Sequence, residues 1–370
     1  MEAFSNTYKD KKVLVTGHTG FKGSWLTVWL LKLGASVIGY SKDIPTQPSM
    51  FSSLNLSEKI KHNIADIQDV VSLKEVINKE RPDFVFHMAA QAIVSTSYND
   101  PTDTIKTNAI GTMNLLEVLR GINFPCSAIF ITSDKCYDNV EWLWGYREND
   151  KLGGKDIYSG SKAAAEIIIN AYSHSFFNHS DNLVRIGIAR AGNVIGGGDW
   201  AKDRVIPDVV RSWSAKSIPE IRHPNSTRPW QHVLEPLSGY LLLGVRLSKK
   251  EELHSEAFNF GPKPEQVHTV ANLIEKLALK WSFEDRKKSY KINSNSIFHE
   301  AGLLKLNCDK ASFYLKWEPC LNFNETVDFV ADWYINFYDK KKDMFDFTNS
   351  QITEYTKIAT QREKIWIQCL

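Results

Sequence analysis

The sequence is poor in cysteine and lacks any long hydrophobic run. Its five cysteines among 370 residues are scattered, odd in number and never spaced as C-x-x-C. We therefore expect neither a disulfide framework nor a metal site. The polar N-terminus has no apolar signal core, and no apolar run approaches the ~20 residues that span a bilayer. These absences predict a soluble, cytoplasmic protein with reduced thiols and no membrane contact.

Neither sign of charge dominates the chain. Lys and Arg number 45 against 43 Asp and Glu, which leaves a formal net charge of +2. A nucleic-acid-binding face needs clustered basic side chains, and no such cluster stands out. The hydrophobic share of 43% and the charged share of 24% are ordinary for globular proteins. The composition predicts a globular protein without a nucleic-acid partner.

Short apolar runs alternate with helical patterns through the first half of the chain. Strands are predicted at 11–16, 35–40, 84–87, 128–132 and 184–190, and helices at 23–33, 73–79, 104–119 and 160–177. Such alternation predicts an α/β fold, a Rossmann-type doubly wound parallel sheet whose ligands bind beyond the carboxyl ends of the strands. Fewer strands and more loops after Asn193 predict a smaller C-terminal lobe that binds substrate. We assign 1–193 to the Rossmann domain, to which later segments could return, 194–340 to the second lobe and 341–370 to a C-terminal tail.

A glycine-rich loop, Gly17-His-Thr-Gly-Phe-Lys-Gly23, joins the first predicted strand to the first helix. Such a loop brings backbone N–H groups and the positive end of the helix against a pyrophosphate, and glycine is needed where a Cβ would block that approach. A plain glycine turn is the alternative. The residues predicted to bind a dinucleotide are Gly17, Gly20, Phe21 and Gly23 in the loop, Asp66 and Ile67 as adenine contacts, and the small Ala89 and Ala90 against the sheet. For Asp66, an ordinary surface aspartate is an equally good interpretation.

Two neighbouring residues give opposite signals about the kind of dinucleotide. The acidic residue that commonly binds the adenosine ribose directly after the second strand is replaced by Tyr40-Ser41-Lys42-Asp43. Asp43 lies close to the expected position and favours NAD, whereas Lys42 would suit the 2′-phosphate of NADP. The residues favour NAD and leave NADP open.

The most informative motif is Tyr158-Ser-Gly-Ser-Lys162, read together with Thr132-Ser133-Asp134-Lys135. A Tyr and a Lys four residues apart share one face of a helix. There the ammonium lowers the pKa of the phenol from its usual ~10 toward the working pH. Ser133, at a separate strand end, adds a hydroxyl that can hold a substrate oxygen. With the glycine loop, this set can move a hydride between a carbinol and a nicotinamide.

Six blocks of sequence carry a family resemblance. Residues 16–23, 87–91, 132–139, 141–149, 190–200 and 228–236 resemble the CDP-glucose 4,6-dehydratases, which are extended short-chain dehydrogenase/reductases acting on nucleotide sugars. The resemblance runs from about residue 8 to about residue 338. It implies an NAD-dependent lyase that converts CDP-glucose to CDP-4-keto-6-deoxyglucose in deoxysugar and lipopolysaccharide O-antigen biosynthesis. A homodimer or homotetramer is expected.

The resemblance also implies roles in a reaction without net redox change. Tyr158 takes the proton of the sugar 4-hydroxyl while C4 passes a hydride to NAD, a base removes the C5 proton as the 6-hydroxyl leaves as water, and the hydride returns to C6. Asp134 is the implied acid and Lys135 the candidate base, where dTDP-glucose dehydratases carry Asp-Glu. A lysine base must be neutral when it acts. Alternatively, Lys135 only pairs with Asp134 or steers the sugar.

The substrate contacts rest on the same resemblance. Asn193, Arg204 and Arg228 are expected near the nucleotide diphosphate, since an Arg fork suits phosphate oxygens. Trp142, Trp144 and Tyr146 either cover the sugar pocket or pack on one another in an exposed loop. His87 is interpreted as a hydrogen-bonded strand-end histidine, not as an acid–base group.

Other functions stay open. A dehydratase or epimerase could act on a nucleotide sugar with another base or a heptose, although an epimerase needs no acid–base pair after Ser133. A non-catalytic dinucleotide-fold protein would have no use for Ser133, Tyr158 and Lys162. A net oxidoreductase would consume NAD stoichiometrically.

Overall fold

The computed structural model describes residues 3–179, 181–249, 251–281, 289–293, 303–340 and 342–367. The strands are β1 (Lys12–Thr16), β2 (Ser36–Ser41), β3 (Lys61–Ile64), β4 (Phe84–His87), β5 (Cys126–Ile131), β6 (Val184–Ala191), β7 (Val194–Ile195), β8 (Glu220–Ile221), β9 (Thr227–Arg228), β10 (Gln231–His232), β11 (Ala257–Phe260), β12 (His268–Thr269) and β13 (Lys291–Ile292). The α-helices are α1 (Phe21–Lys32), α2 (Met50–Ser53), α3 (Val70–Glu80), α4 (Val94–Asn99), α5 (Pro101–Ile105), α6 (Gly111–Arg120), α7 (Ile157–Tyr172), α8 (Val205–Ser214), α9 (Leu234–Lys249), α10 (Val270–Lys280), α11 (Phe323–Asp339) and α12 (Met344–Gln361).

Seven of these strands form one parallel sheet in the order β11-β6-β5-β4-β1-β2-β3. The predicted Rossmann-type doubly wound sheet is confirmed. The strand order reverses between β1 and β4, and Thr16 at the end of β1 lies opposite His87 at the end of β4. In such sheets a ligand binds at this reversal, beyond the carboxyl ends of the strands.

Alternate residues of the central strands point into two separate cores, which is why these strands read as continuous apolar runs. Val13 and Val15 of β1 pack on one face with Trp25 and Trp29 of α1. Leu14 belongs to the core on the other face, with residues of α3, α6 and α7. Burying one such aliphatic side chain contributes about 1.5–3 kcal/mol. The glycine loop that follows β1 therefore starts from a strand fixed on both faces.

β3 and the helix before β5 differ from the sequence expectations. β3 reads Lys-His-Asn-Ile and was not anticipated, because an edge strand lacks the apolar run of a buried strand. β11 lies well beyond Asn193 and pairs with β6 in the main sheet, as a later segment that returns to it. The helix predicted at 104–119 is interrupted by a π-turn at Lys106–Ile110, between α5 and α6.

The helices α11 and α12 pack onto the body of the protein. A capping box between Asn322 and Glu325 begins α11. Trp366 stacks on Phe4 and on Tyr355 of α12, with ring centroids 5.2 and 5.6 Å apart. Within the described ranges, no helix combines the length and the apolar character needed to cross a membrane.

A buried carboxylate links this C-terminal segment to α9. Glu235 in the first turn of α9 accepts the backbone N–H of Cys320 at 2.9 Å and the Tyr355 hydroxyl at 2.9 Å. Burial raises the pKa of Glu235 to about 7, although the N–H donors of Leu321 and Cys320 oppose that shift. The contact between α9 and α12 therefore contains a buried carboxyl group whose charged form is disfavoured by burial.

Candidate active site

A cavity of about 1620 Å³ opens beyond the carboxyl ends of the strands. It exceeds the ~300–1,000 Å³ of a pocket for one drug-sized ligand, so two ligands could lie in it side by side. Every predicted site residue lines this cavity: Gly17, Gly20, Phe21, Gly23, Asp66, Ile67, Ala89, Ala90, Ser133, Asp134, Lys135, Tyr158, Lys162, Asn193, Arg204 and Arg228. The fold thus brings together residues that are spread over more than half of the chain.

The neighbouring backbone leaves no room for a side chain at two glycines of the glycine loop. Gly17 has φ +74°, and a Cβ there would lie 2.7 Å from the Ala89 nitrogen. A Cβ on Gly23 would lie 2.2 Å from the Gly17 carbonyl oxygen. No side chain caps the N-terminus of α1. These residues fit a dinucleotide, because the first amides of α1 and the positive end of its dipole face the cavity and suit a pyrophosphate.

The far end of the dinucleotide site is rich in carboxylates. The Lys42 ammonium lies 3.7 Å from an Asp66 oxygen and 3.8 Å from an Asp103 oxygen. Asp43 also lines this end, and its carbonyl accepts a hydrogen bond from Thr19. Because the Lys42 ammonium already lies beside the carboxylates of Asp66 and Asp103, the local charge disfavours the 2′-phosphate of NADP. The geometry therefore resolves the opposing signals of Lys42 and Asp43 in favour of NAD.

Tyr158 and Lys162 lie one turn apart on α7. Asp156 begins this helix by accepting the Ser159 N–H at 2.9 Å. Burial raises the pKa of the Tyr158 phenol, and a hydrogen bond with Ser133 opposes that shift. Burial lowers the pKa of Lys162 to about 8, with Glu166 acting in the opposite direction. Lys162 is one helical turn from Tyr158 on the same helix, and an ammonium in that place can stabilise a phenolate.

The chain turns tightly after β5 and brings Ser133 next to Asp134. The Ser133 hydroxyl donates to Asp134 Oδ1 at 3.0 Å and accepts the Lys135 backbone N–H at 3.2 Å. The buried carboxylate of Asp134 rests on Gly192, where a Cβ would lie 1.8 Å from Oδ2. Sequence reasoning missed Gly192, since its contact with Asp134 joins the ends of two different strands.

Lys135 faces the cavity without pairing with Asp134. Its side chain is half-buried, and the described residues contain no ion pair between these two groups. The structure therefore does not contain the ion pair that the interpretation of Lys135 as a partner of Asp134 requires. A base and a group that steers the sugar both remain compatible with its position.

Lys22 is a further cation in the cavity that sequence reasoning treated only as a loop position. Its ammonium lies 3.4 Å from the Tyr240 hydroxyl. Burial lowers the pKa of Lys22 to about 7, and Lys162 and Arg204 add to the shift while Asp134 opposes it. A cation in the first turn of a helix opposes the helix dipole. This unfavourable position of a lysine was visible in the sequence and could have indicated that Lys22 contributes to the site, since it does not stabilise the helix.

A hydrogen-bonded frame holds the loop after β4. Asn108 in the π-turn donates to Ser161 at 2.8 Å and accepts the Gln91 N–H at 2.8 Å. His87 lies between the hydroxyls of Thr16 and Thr112, at 2.8 and 3.1 Å. Burial, helped by Lys162, lowers the pKa of His87 to about 3. A neutral His87 with both ring nitrogens hydrogen-bonded agrees with its interpretation as a strand-end histidine.

The second lobe contributes two arginines. Arg204 Nη1 lies 2.8 Å from Asp199 Oδ2, and Asp199 raises the pKa of this guanidinium. Arg204 also lowers the pKa of Tyr158, so its charge reaches the phenol. Arg228 donates to the Thr227 carbonyl at 2.9 Å. Both cations line the cavity and could hold anionic oxygens of a substrate.

The aromatic residues at 142–146 lie elsewhere. Trp142 packs on Trp144 and on Tyr146, with ring centroids 5.3 and 4.9 Å apart. Among the residues described, none of the three belongs to the cavity wall, and Trp144 is 64% exposed. The three rings therefore pack on one another and not on the cavity, although Tyr146 is itself buried and stacks on Tyr137.

Comparisons with known proteins agree with this fold. The model of the family described as GDP-mannose 4,6 dehydratase matches residues 14–329. The chain belongs to this family. A curated relative, the CDP-glucose 4,6-dehydratase of Salmonella typhimurium, is 44% identical over 96% of this chain and 99% of its own length. The resemblance to CDP-glucose 4,6-dehydratases, within the extended short-chain dehydrogenase/reductases, is thereby confirmed.

Solved structures of other nucleotide-sugar enzymes have a similar fold. A UDP-glucose 4-epimerase of Thermotoga maritima with UDP-glucose gives a TM-score of 0.75 at 22% identity, covering 88% of this chain and 99% of that one. A dTDP-glucose 4,6-dehydratase of Bacillus anthracis in complex with NAD gives 0.73 at 21% identity, covering 90% and 99%. Epimerases and dehydratases thus share this architecture, and the side chains in the cavity must separate their reactions.

Proposed function

We propose that this protein is a CDP-glucose 4,6-dehydratase that uses bound NAD and yields CDP-4-keto-6-deoxyglucose for deoxysugar and surface-polysaccharide synthesis. The 44% identity to the Salmonella typhimurium enzyme, over nearly the full length of both chains, supports the substrate. One observation supports the reaction above all: the buried Asp134 and the cavity-facing Lys135 adjoin Ser133 at the same end of the sheet as Tyr158 and Lys162. An acid and a base beside a redox set are what water elimination requires.

NAD, when bound along the glycine loop, would supply a reversible hydride acceptor. Tyr158 as phenolate takes the proton of the 4-hydroxyl, and the Lys162 ammonium stabilises that phenolate. Ser133 holds the 4-oxygen. Asp134 protonates the departing 6-hydroxyl, and Lys135 removes the C5 proton. Arg204 and Arg228 bind the diphosphate, with Asn193 beside them.

A panel of nucleotide sugars tests the proposal. The purified protein is incubated with CDP-, UDP-, dTDP- and GDP-glucose and substoichiometric NAD, and the 4-keto product is read by its absorbance in alkali. We expect turnover to be fastest with CDP-glucose. Each NAD should support more than one turnover, and no NADH should remain at completion. Faster turnover with another base refutes the substrate, a C4 epimer refutes the dehydration, and stoichiometric NADH indicates a net oxidoreductase.

Two further properties stay predictions. We propose a cytoplasmic location and a homodimer or homotetramer. Light scattering coupled to size exclusion measures the mass of the particle, and a monomer at micromolar concentration would contradict the predicted assembly.

A further inference from the structure

A buried ion pair lies directly behind the catalytic groups. Glu166 and Arg190 are 0% and 2% exposed. Arg190 Nε donates to both carboxylate oxygens of Glu166, at 2.8 and 2.9 Å, and Nη2 donates to Oε2 as well. Removing two charges from water costs several kcal/mol, and hydrophobic replacements of such pairs are often at least as stable. Stability alone is therefore a weak reason for a charged pair in this position.

Glu166 contacts each of the elements that carry the catalytic residues. It follows Lys162 by one turn on α7. Its Oε1 accepts a 2.5 Å hydrogen bond from the hydroxyl of Thr132, the residue immediately before Ser133. Arg190 brings in β6, which pairs with β5. A single carboxylate thus ties the helix of Tyr158 to the strand end of Ser133.

Arg190 holds the other end of the same catalytic turn. Its Nη1 donates to the Tyr137 hydroxyl at 2.7 Å and to the Glu148 carbonyl at 2.9 Å. The Tyr137 hydroxyl in turn donates to Asn259 Oδ1 at 2.8 Å. Ser133, Asp134 and Lys135 therefore lie between two residues, Thr132 and Tyr137, that are both bound to the buried pair.

We infer that Glu166, through Thr132 and Arg190, is a positioning residue that sets the separation between the Ser133-Asp134-Lys135 turn and the Tyr158-Lys162 face of α7. The turn and the helix belong to separate elements, so their alignment depends on contacts across the core. A displacement of about 1 Å can cost up to ~10²-fold in rate. For its kinetic test, the inference rests on the proposed dehydratase function.

Thr132→Val is the sharpest variant, because it removes one hydroxyl and keeps the branched shape. The Glu166 carboxylate keeps all its bonds from Arg190, so no buried charge loses its partner. We expect kcat for CDP-glucose to fall about tenfold with KM unchanged within twofold, since only alignment in the transition state is lost. Thr132→Ser restores the hydroxyl and should return kcat to within about threefold of the wild type.

Thr348→Val in α12 is the matched control. Its hydroxyl is also fully buried and accepts the Trp333 indole N–H at 2.9 Å, away from the cavity. It should cost comparable stability, about 1 kcal/mol, and leave kcat unchanged. If Thr132→Val keeps wild-type kcat, or if Thr132→Ser is as slow as Thr132→Val, the positioning role is wrong.

A second measurement needs no turnover and so separates this inference from the proposed function. The Tyr158 phenol is titrated by ultraviolet difference spectroscopy. In the wild-type background, the spectrum of Tyr158→Phe is subtracted from that of the wild type. In the variant background, the spectrum of the double variant Thr132→Val/Tyr158→Phe is subtracted from that of Thr132→Val. The groups that act on this phenol are Ser133, Asp134, Asp156 and Arg204. A displaced Ser133 no longer lowers the pKa of Tyr158, so the phenol should titrate at higher pH in Thr132→Val. An unchanged titration overturns the inference even if no nucleotide sugar is turned over.

Discussion

Burial acts in opposite directions on the two groups that share the catalytic face of α7. It raises the pKa of the Tyr158 phenol and lowers that of the Lys162 ammonium to about 8. Burial therefore disfavours the charged form of both groups, and Ser133 and Arg204 are the neighbours that lower the pKa of the phenol. The Lys162 ammonium, one helical turn from Tyr158, loses its proton as pH rises through about 8.

The phenol itself is the first prediction. Tyr158→Phe should lower kcat by about 10²–10⁴-fold, because a proton transfer is removed, and should leave affinity for CDP-glucose within about threefold. Steady-state kinetics and calorimetric titration with CDP-glucose measure the two effects. A variant that keeps kcat within tenfold of the wild type would refute the assignment of Tyr158.

The second prediction concerns Asp134 and Lys135, which we expect to act after oxidation of C4. Asp134→Asn keeps the shape but cannot supply the acidic proton, and Lys135→Met keeps most of the stem but has no base. In a single turnover both should accumulate the 4-keto-hexose with its 6-hydroxyl intact, detected by mass spectrometry. Exchange of the C5 hydrogen with D₂O should persist in the Asp134 variant and disappear in the Lys135 variant. If Lys135→Met exchanges the C5 hydrogen at the wild-type rate, Lys135 is not the base and only steers the sugar.

At the scale of elements, two glycines set how closely strand ends approach their neighbours. Gly17 belongs to the loop after β1, and Gly192 follows β6 beneath the Asp134 carboxylate. A methyl group at either place meets backbone or carboxylate atoms far inside contact distance. We nevertheless expect the two positions to serve different ligands, the dinucleotide at Gly17 and the sugar at Gly192.

The third prediction separates them. Gly17→Ala should weaken NAD binding at least tenfold, as measured by calorimetry, because its φ of +74° and its contact with Ala89 both exclude a side chain. Gly192→Ala should retain NAD binding and lose dehydration, because Asp134 must move. Gly160→Ala is the matched control, since a Cβ there meets nothing within 4 Å and helical alanine stabilises by about 1 kcal/mol. Equal NAD affinities in all three variants would contradict the division.

The sequence was sufficient for what is local and insufficient for what depends on packing. Tyr158 and Lys162 share a face because a helix has 3.6 residues per turn, and the glycine loop follows β1 because the apolar run ends there. β3 was missed, since its Lys-His-Asn-Ile sequence has no apolar periodicity. Gly192 and Glu166 were missed for a different reason: each acts on a residue of another strand or helix, and no spacing in the chain encodes that distance.

At the scale of the whole molecule, the C-terminal segment is attached through a group whose charge changes near neutral pH. Burial raises the pKa of Glu235 from 4.5 to about 7. A raised folded-state pKa contributes stability that is complete below about pH 4.5 and is lost as pH rises through about 7. The contribution is at most about 3 kcal/mol.

The fourth prediction follows from that sign. The melting temperature of the wild type should fall between pH 5 and pH 8 by a few degrees more than that of Glu235→Gln, which cannot ionise. Glu265→Gln, at an exposed position, should follow the wild type. Parallel pH curves for Glu235→Gln and the wild type would show that the docking of α12 is not linked to this proton.

The place of β11 at the edge of the main sheet bears on how the protein is made. Its partner β6 is complete at Ala191, but β11 is translated only at Ala257–Phe260. A nascent chain in between has an unpaired strand edge, which invites association with other chains. We expect ribosome-bound chains whose residues 1–193 have emerged to be protease-sensitive and bound by chaperones, whereas chains whose α11 has also emerged should resist protease. Translation speed between these two strands, not only the finished sequence, would then decide the yield of native enzyme.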